Sequence, residues 1–133
     1  MATSDAPRLL LVLGLCLSGC GSAPPTSHRH QATVMLTVTD AALLPNRRVT
    51  TPAFSTVVFA NRTARPIAVA VDRAACNECD TVLGFTAADH GARATAVPPG
   101  EVVSLCFHEA GVFAFSATVG ERVLDGTIEV TAP

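Results

Sequence analysis

Side chains able to do chemistry are few in this sequence, and their spacing narrows what they can do. Cys76 and Cys79 are separated by two residues. At that spacing two thiolates can chelate one soft cation, Cu(I) or Zn(II), or close a small disulfide. A metal set built on the pair would draw its remaining ligands from Cys106, His108 or His90. The disulfide would contribute about 2 kcal/mol for so short a loop, and it would leave Cys106 as an odd thiol. Disulfide exchange needs nearby cations or a helix N-terminus to favour the thiolate, whereas Glu78 and Asp80 crowd the pair with negative charge. Ser104, Cys106 and His108 alternate along one run, but residues two apart on a strand lie about 7 Å apart. They therefore read as a solvated strand face, and no catalytic residue is assigned. Asp72, Glu78, Asp80 and Asp89 gather around the Cys pair in sequence and read as a charged loop that could attract a hard cation.

The elements that must position these residues are strands. Val34, Leu36 and Val38 alternate with Thr33, Thr37 and Thr39, the period-2 pattern of a half-buried strand. A second run covers Ser55 to Ala60 and stops at Asn61, and a third places Ile67, Val69 and Val71 on one face. After the Cys pair comes a loop rich in Ala and Gly, then the turn Pro98-Pro99-Gly100. Strand character returns in Glu101 to His108, with Val103, Leu105 and Phe107 on one side and Ser104, Cys106 and His108 on the other. Glu109-Ala110-Gly111 reverses the chain into Val112 to Ser116, and Gly126 to Thr131 closes it. No helical period appears beyond the N-terminus. Several short strands at near-regular spacing predict an all-β, antiparallel sandwich.

At the N-terminus Arg8 closes a short polar region and Leu9 to Leu17 is apolar. That stretch is too short to span a bilayer and fits a secretory signal. Leu17-Ser18-Gly19-Cys20 follows directly and resembles the bacterial lipobox, in which cleavage precedes a Cys whose thiol takes a diacylglyceryl group. Residues 1–19 are thus expected to be a lipoprotein signal peptide, with Cys20 as the lipidated first residue of the mature chain. The resemblance implies a cell-envelope location, with Gly21 after the Cys fitting the periplasmic face of the outer membrane where the source has two membranes. Residues 20–31 hold nothing apolar to bury and read as anchor and tether, reaching roughly 20 Å by random-coil scaling. His28 and His30 lie in that solvated linker. The rest, 32–133, is the length of one compact domain.

Composition excludes further classes. The formal net charge is −2, and the basic residues are all Arg and scattered, so no nucleic-acid footprint is present. Trp and Tyr are absent, and the six Phe sit in strand-like runs, leaving no stacking platform for bases.

Several landmarks occur in order from residue 33 to 130: Asn61 followed by Pro66 and the Ile67 strand; Pro99-Gly100-Glu101; Phe107; Glu109-x-Gly111-x-Phe113-x-Phe115; and Gly126-x-Ile128-x-Val130. Together they resemble the cupredoxins, the small blue-copper proteins. That resemblance implies a Greek-key β-sandwich and would imply a type 1 copper site of two His, one Cys and a weak axial Met. Carried over, those ligand positions fall on Ile67, Ser116, Val119 and Leu124, and no Cys, His or Met occurs from Ser116 to Pro133. The expectation is a membrane-anchored lipoprotein with a cupredoxin-like domain lacking type 1 copper. It would be a non-enzymatic binding or accessory module without a cofactor, meeting the membrane through its lipid and an unidentified envelope protein. The alternative is a periplasmic copper-handling protein holding copper or zinc on Cys76 and Cys79, with Cys106 and His108.

Overall fold

The computed structural model describes residues 31–73 and 82–133. Among the described residues the chain forms ten strands and no helix: β1 (Thr33–Val38), β2 (Leu43–Leu44), β3 (Arg48–Pro52), β4 (Ser55–Asn61), β5 (Ile67–Val71), β6 (Thr86–Ala88), β7 (Gly91–Val97), β8 (Val102–Phe107), β9 (Gly111–Val119) and β10 (Arg122–Thr131). They make two sheets, one ordered β2-β1-β4-β8 and the other β3-β10-β9-β5-β7-β6. Each sheet has one apolar face, and stacking those faces is how such sheets remove them from water.

Alternation decides what goes inward. Leu36 and Val38 of β1, Val57 and Phe59 of β4, and Leu105 and Phe107 of β8 are buried; so are Val69 of β5, Phe113, Phe115 and Ala117 of β9, and Leu124 and Ile128 of β10. Two aromatic pairs lock the interior edge to face, Phe59 with Phe115 at 5.2 Å and Phe107 with Phe113 at 4.9 Å between centroids. Such pairs add to simple area burial. Gly126 lies opposite Phe115 in the β9–β10 ladder. A Cβ there would sit 2.4 Å from the Phe115 ring and 2.6 Å from the Arg47 carbonyl. The glycine is therefore required by the close approach of ring and backbone.

Most pairings are antiparallel as expected, but two are not. β1 runs parallel to β4, and β3 runs parallel to β10. Both pairs join segments that no tight hairpin connects, so direction was free to be set by the crossover between sheets. The Ala- and Gly-rich stretch is also not all loop, since it contains the β6–β7 hairpin paired from Thr86↔Arg93 to Ala88↔Gly91. β9 and β10 extend beyond the runs expected from sequence, to Val119 and back to Arg122.

One end of the sandwich is closed by Asn61, the last residue of β4 and fully buried. Its Nδ2 donates to the carbonyls of Arg65 and Val97, both at 2.9 Å. Its Oδ1 accepts from the Thr63 N–H at 2.9 Å and the Thr63 hydroxyl at 2.8 Å. Its backbone carbonyl accepts from the N–H of Gly100 at 2.8 Å, in the turn before β8. One amide side chain thus ties the four-stranded sheet to the start of β5 and the end of β7.

Candidate functional site

The first place to look for a site is the end of the core closed by Asn61, where the copper-ligand positions were mapped. Ile67 pairs with Val119 across β5 and β9, and Ala117 pairs with both Val69 and Leu124. Ile67, Val119 and Leu124 are 2%, 6% and 1% exposed, and all belong to one hydrophobic core. Ser116 does not join them. It is half-buried and lines a groove on the outer side of the six-stranded sheet, whereas fully buried Ala117 takes the inward place after Phe113 and Phe115. Ser116 therefore faces away from Ile67, Val119 and Leu124, and the buried methyl of Ala117 stands on their side. Hydrocarbon side chains offer copper no lone pair, so these residues do not fit a type 1 site.

The second place is the outer side of β8. The expected solvated face is not solvated. Ser104 and Cys106 are only 7% and 4% exposed. Leu83, one residue after the described chain resumes at Val82, bridges to Ser104 with backbone bonds of 3.0 and 2.9 Å and covers that edge. Cys106 pairs with buried Thr56 of β4. Its Sγ lies 3.1 Å from Nε2 of His108, two residues on. The His108 ring rests on Phe54, with centroids 5.1 Å apart. Phe54 itself is held by its N–H donating to the Phe107 carbonyl at 2.7 Å. Sequence spacing alone placed Cys106 and His108 on one side, but it gave no sign that they touch. Nor is Cys106 the odd thiol expected: it is disulfide-bonded. The expected Cys76–Cys79 bridge and the lipidated Cys20 lie outside the described residues.

The third place is the groove that Ser116 lines, about 580 Å³ in volume, with Asp72, Asp89, His90, Arg93 and Asp125 around a floor of small residues. Asp72 already accepts the Ala114 N–H at 3.0 Å. His90 stands here, on the sheet that does not contain β8, so it does not meet Cys106 and His108. Among the described residues no three His, Cys, Asp or Glu side chains gather closely enough to hold a metal ion. No helix among them is long and apolar enough to cross a membrane.

No protein-family model matches the chain, and no curated protein matches it. Solved structures do. The reduced form of an amicyanin point mutant is 17% identical, with a TM-score of 0.55, covering 74% of this chain and 82% of its own. Amicyanin from Paracoccus versutus is 20% identical, with a TM-score of 0.53 and coverage of 74% and 81%. Auracyanin B is 16% identical, with a TM-score of 0.52 and coverage of 75% and 88%. At these identities the likeness shows the fold. The domain is a cupredoxin-like β-sandwich.

Proposed function

We propose that this chain is a lipid-anchored envelope lipoprotein whose cupredoxin-like domain works as a non-enzymatic binding or accessory module and carries no type 1 copper. The observation that carries this reading is the chemistry of the ligand places. Of the mapped places Ile67, Val119 and Leu124 are buried in the continuous core and Ser116 faces away from it, so the end of the fold that would hold a redox metal is packed hydrocarbon. A metal placed there would have to displace several close-packed side chains and find new donors.

The test is a copper titration of metal-free full-length protein, read by absorption and by metal content after desalting. The expected outcome is no band near 600 nm and no metal retained at stoichiometry. A band near 600 nm would overturn the ligand assignment. Stoichiometric copper or zinc that disappears in Cys76→Ser would instead establish the metal-handling alternative. Cys106 being disulfide-bonded speaks against that alternative, because a sulfur in a disulfide is no thiolate ligand.

A further inference from the structure

The outer face of the six-stranded sheet carries a row of residues that the core does not use. Across β7, β5, β9 and β10 the ladders set Arg93 opposite Ala70, Ala70 opposite Ser116, and Ser116 opposite Asp125. All four line the groove of about 580 Å³. Arg93 and Asp125 are exposed, and Ala70 and Ser116 between them are half-buried. A cation and an anion thus stand on opposite sides of a floor made of one methyl group and one hydroxyl. Three strand spacings separate their backbones, about 14 Å. Among the described residues the only ion pair is Arg48 with Glu129, so both charges of the row are uncommitted. The other charged groups of the groove lie off the row. Asp72 is occupied by the Ala114 N–H, which its Oδ1 accepts at 3.0 Å, and Asp89 and His90 sit in the turn between β6 and β7.

We infer that this groove binds an extended peptide segment of a partner protein, lying across the strands, with an acidic side chain on Arg93 and a basic one on Asp125. Spacing selects the ligand. In an extended chain residues i and i+4 share a face and lie about 13 Å apart at 3.3 Å per residue, which matches the row. Residues i and i+1 face opposite ways, so an adjacent acid and base cannot reach both charges. The side chain at i+2 comes down over Ala70 and Ser116, where small residues leave room for it. The Ser116 hydroxyl offers the peptide both a donor and an acceptor.

The groove also has a continuation. A hollow of about 420 Å³ shares Ala114, Phe115 and Asp125 with it and runs on to Asn46 and Arg47, so the segment has a path beyond its basic residue. Opposite charges at fixed separation confer selectivity more than strength, which suits an accessory module that meets its partner locally. The inference deepens the binding-module reading of the domain and rests on it for the nature of the partner.

Fluorescence anisotropy tests it with full-length protein in detergent and two amidated, dye-labelled pentapeptides, Glu-Ser-Ala-Ser-Lys and Ser-Glu-Lys-Ala-Ser. Saturable binding of the first and at least fivefold weaker binding of the second are expected. Arg93→Glu and Asp125→Arg each turn an attraction into a repulsion and should weaken the first peptide about fivefold at low salt. The double variant restores most of the loss, because the peptide then enters in the opposite direction. Ser116→Phe fills the floor and removes binding without altering the charges. Urea unfolding of each variant checks that the fold is kept. No saturable binding, equal affinity for the two peptides, or a double variant as weak as the single ones would overturn the inference. Stoichiometric copper retention in the titration above would defeat the accessory reading whatever the peptides do, so the two failures are told apart.

Discussion

Asn61 has no charge and no reactive atom, yet more of the fold converges on it than on any ionisable residue described. Four side-chain hydrogen bonds of 2.8 to 2.9 Å satisfy its amide completely in a fully buried position. Such a network is stabilising when complete and costly when broken, since each orphaned buried group bears its own desolvation penalty. Asn61→Ala strands the Val97 carbonyl and the Thr63 N–H, and is expected to lower stability by about 2–4 kcal/mol. Equilibrium urea unfolding checks this as a fall in midpoint with little change in slope. Asn61→Asp tests the donor half alone, because a carboxylate cannot donate to Arg65 and Val97. The sequence marked Asn61 only as a strand stop and a family landmark, since no local pattern shows that a carbonyl 36 residues away will need its amide. Ile67, Val119 and Leu124 were legible as non-ligands from residue type alone. The contact between Cys106 and His108 was not, because spacing of two on a strand normally keeps side chains apart.

Strands were legible where alternation was strong and the buried residues were large. β1 and β5 follow the expected faces, down to Leu36 and Val69, and in β8 Leu105 is inward as expected although the strand's other side is buried too. β2 has two residues, β3 ends in Pro52, and β6 and β7 are built largely from Ala, Thr and Arg, so none of them carries an apolar signature of its own. Those strands exist because neighbours supply the ladder. Ser116 parts from Ile67, Val119 and Leu124 at the same scale, since a shift of one residue reverses which face a side chain occupies. Gly126 gives the matching prediction. Its missing side chain admits the Phe115 ring and the Arg47 carbonyl, to which the Thr127 N–H donates at 2.8 Å. Gly126→Ala forces both away and is expected to cost about 1–3 kcal/mol as overpacking. Thermal melting checks it. Pairing it with Phe115→Leu recovers part of the loss if ring contact is the cause, because mutations in contact do not add.

The two ends of the molecule are unlike, and under the proposed lipid anchor the direction of β1 decides which would face the membrane. β1 enters at Thr33, opposite Thr56, and leaves at Val38, opposite Asn61. Gln31, just before it, donates its N–H to the Phe54 carbonyl at 3.0 Å. The described chain therefore enters the sandwich, at Gln31, at the end bearing Phe54 and His108. The Asn61 end lies one strand length away, about 20 Å at 3.3 Å per residue. A lipid on Cys20 would keep the His108 end near the bilayer and turn the hydrocarbon-filled Asn61 end outward, as the face a partner could reach. Under the proposed lipoprotein reading the acyl group on Cys20 would supply this attachment; no helix among the described residues is long and apolar enough to cross a membrane. Cys20→Ala should then move the protein from the membrane fraction to the soluble envelope fraction, without altering its unfolding midpoint. Fractionation after incorporation of a labelled fatty acid measures the first part, and urea unfolding of both forms in the same detergent measures the second. Label retained on Cys20→Ala, or protein still sedimenting with membranes, would mean that another part of the chain holds it there.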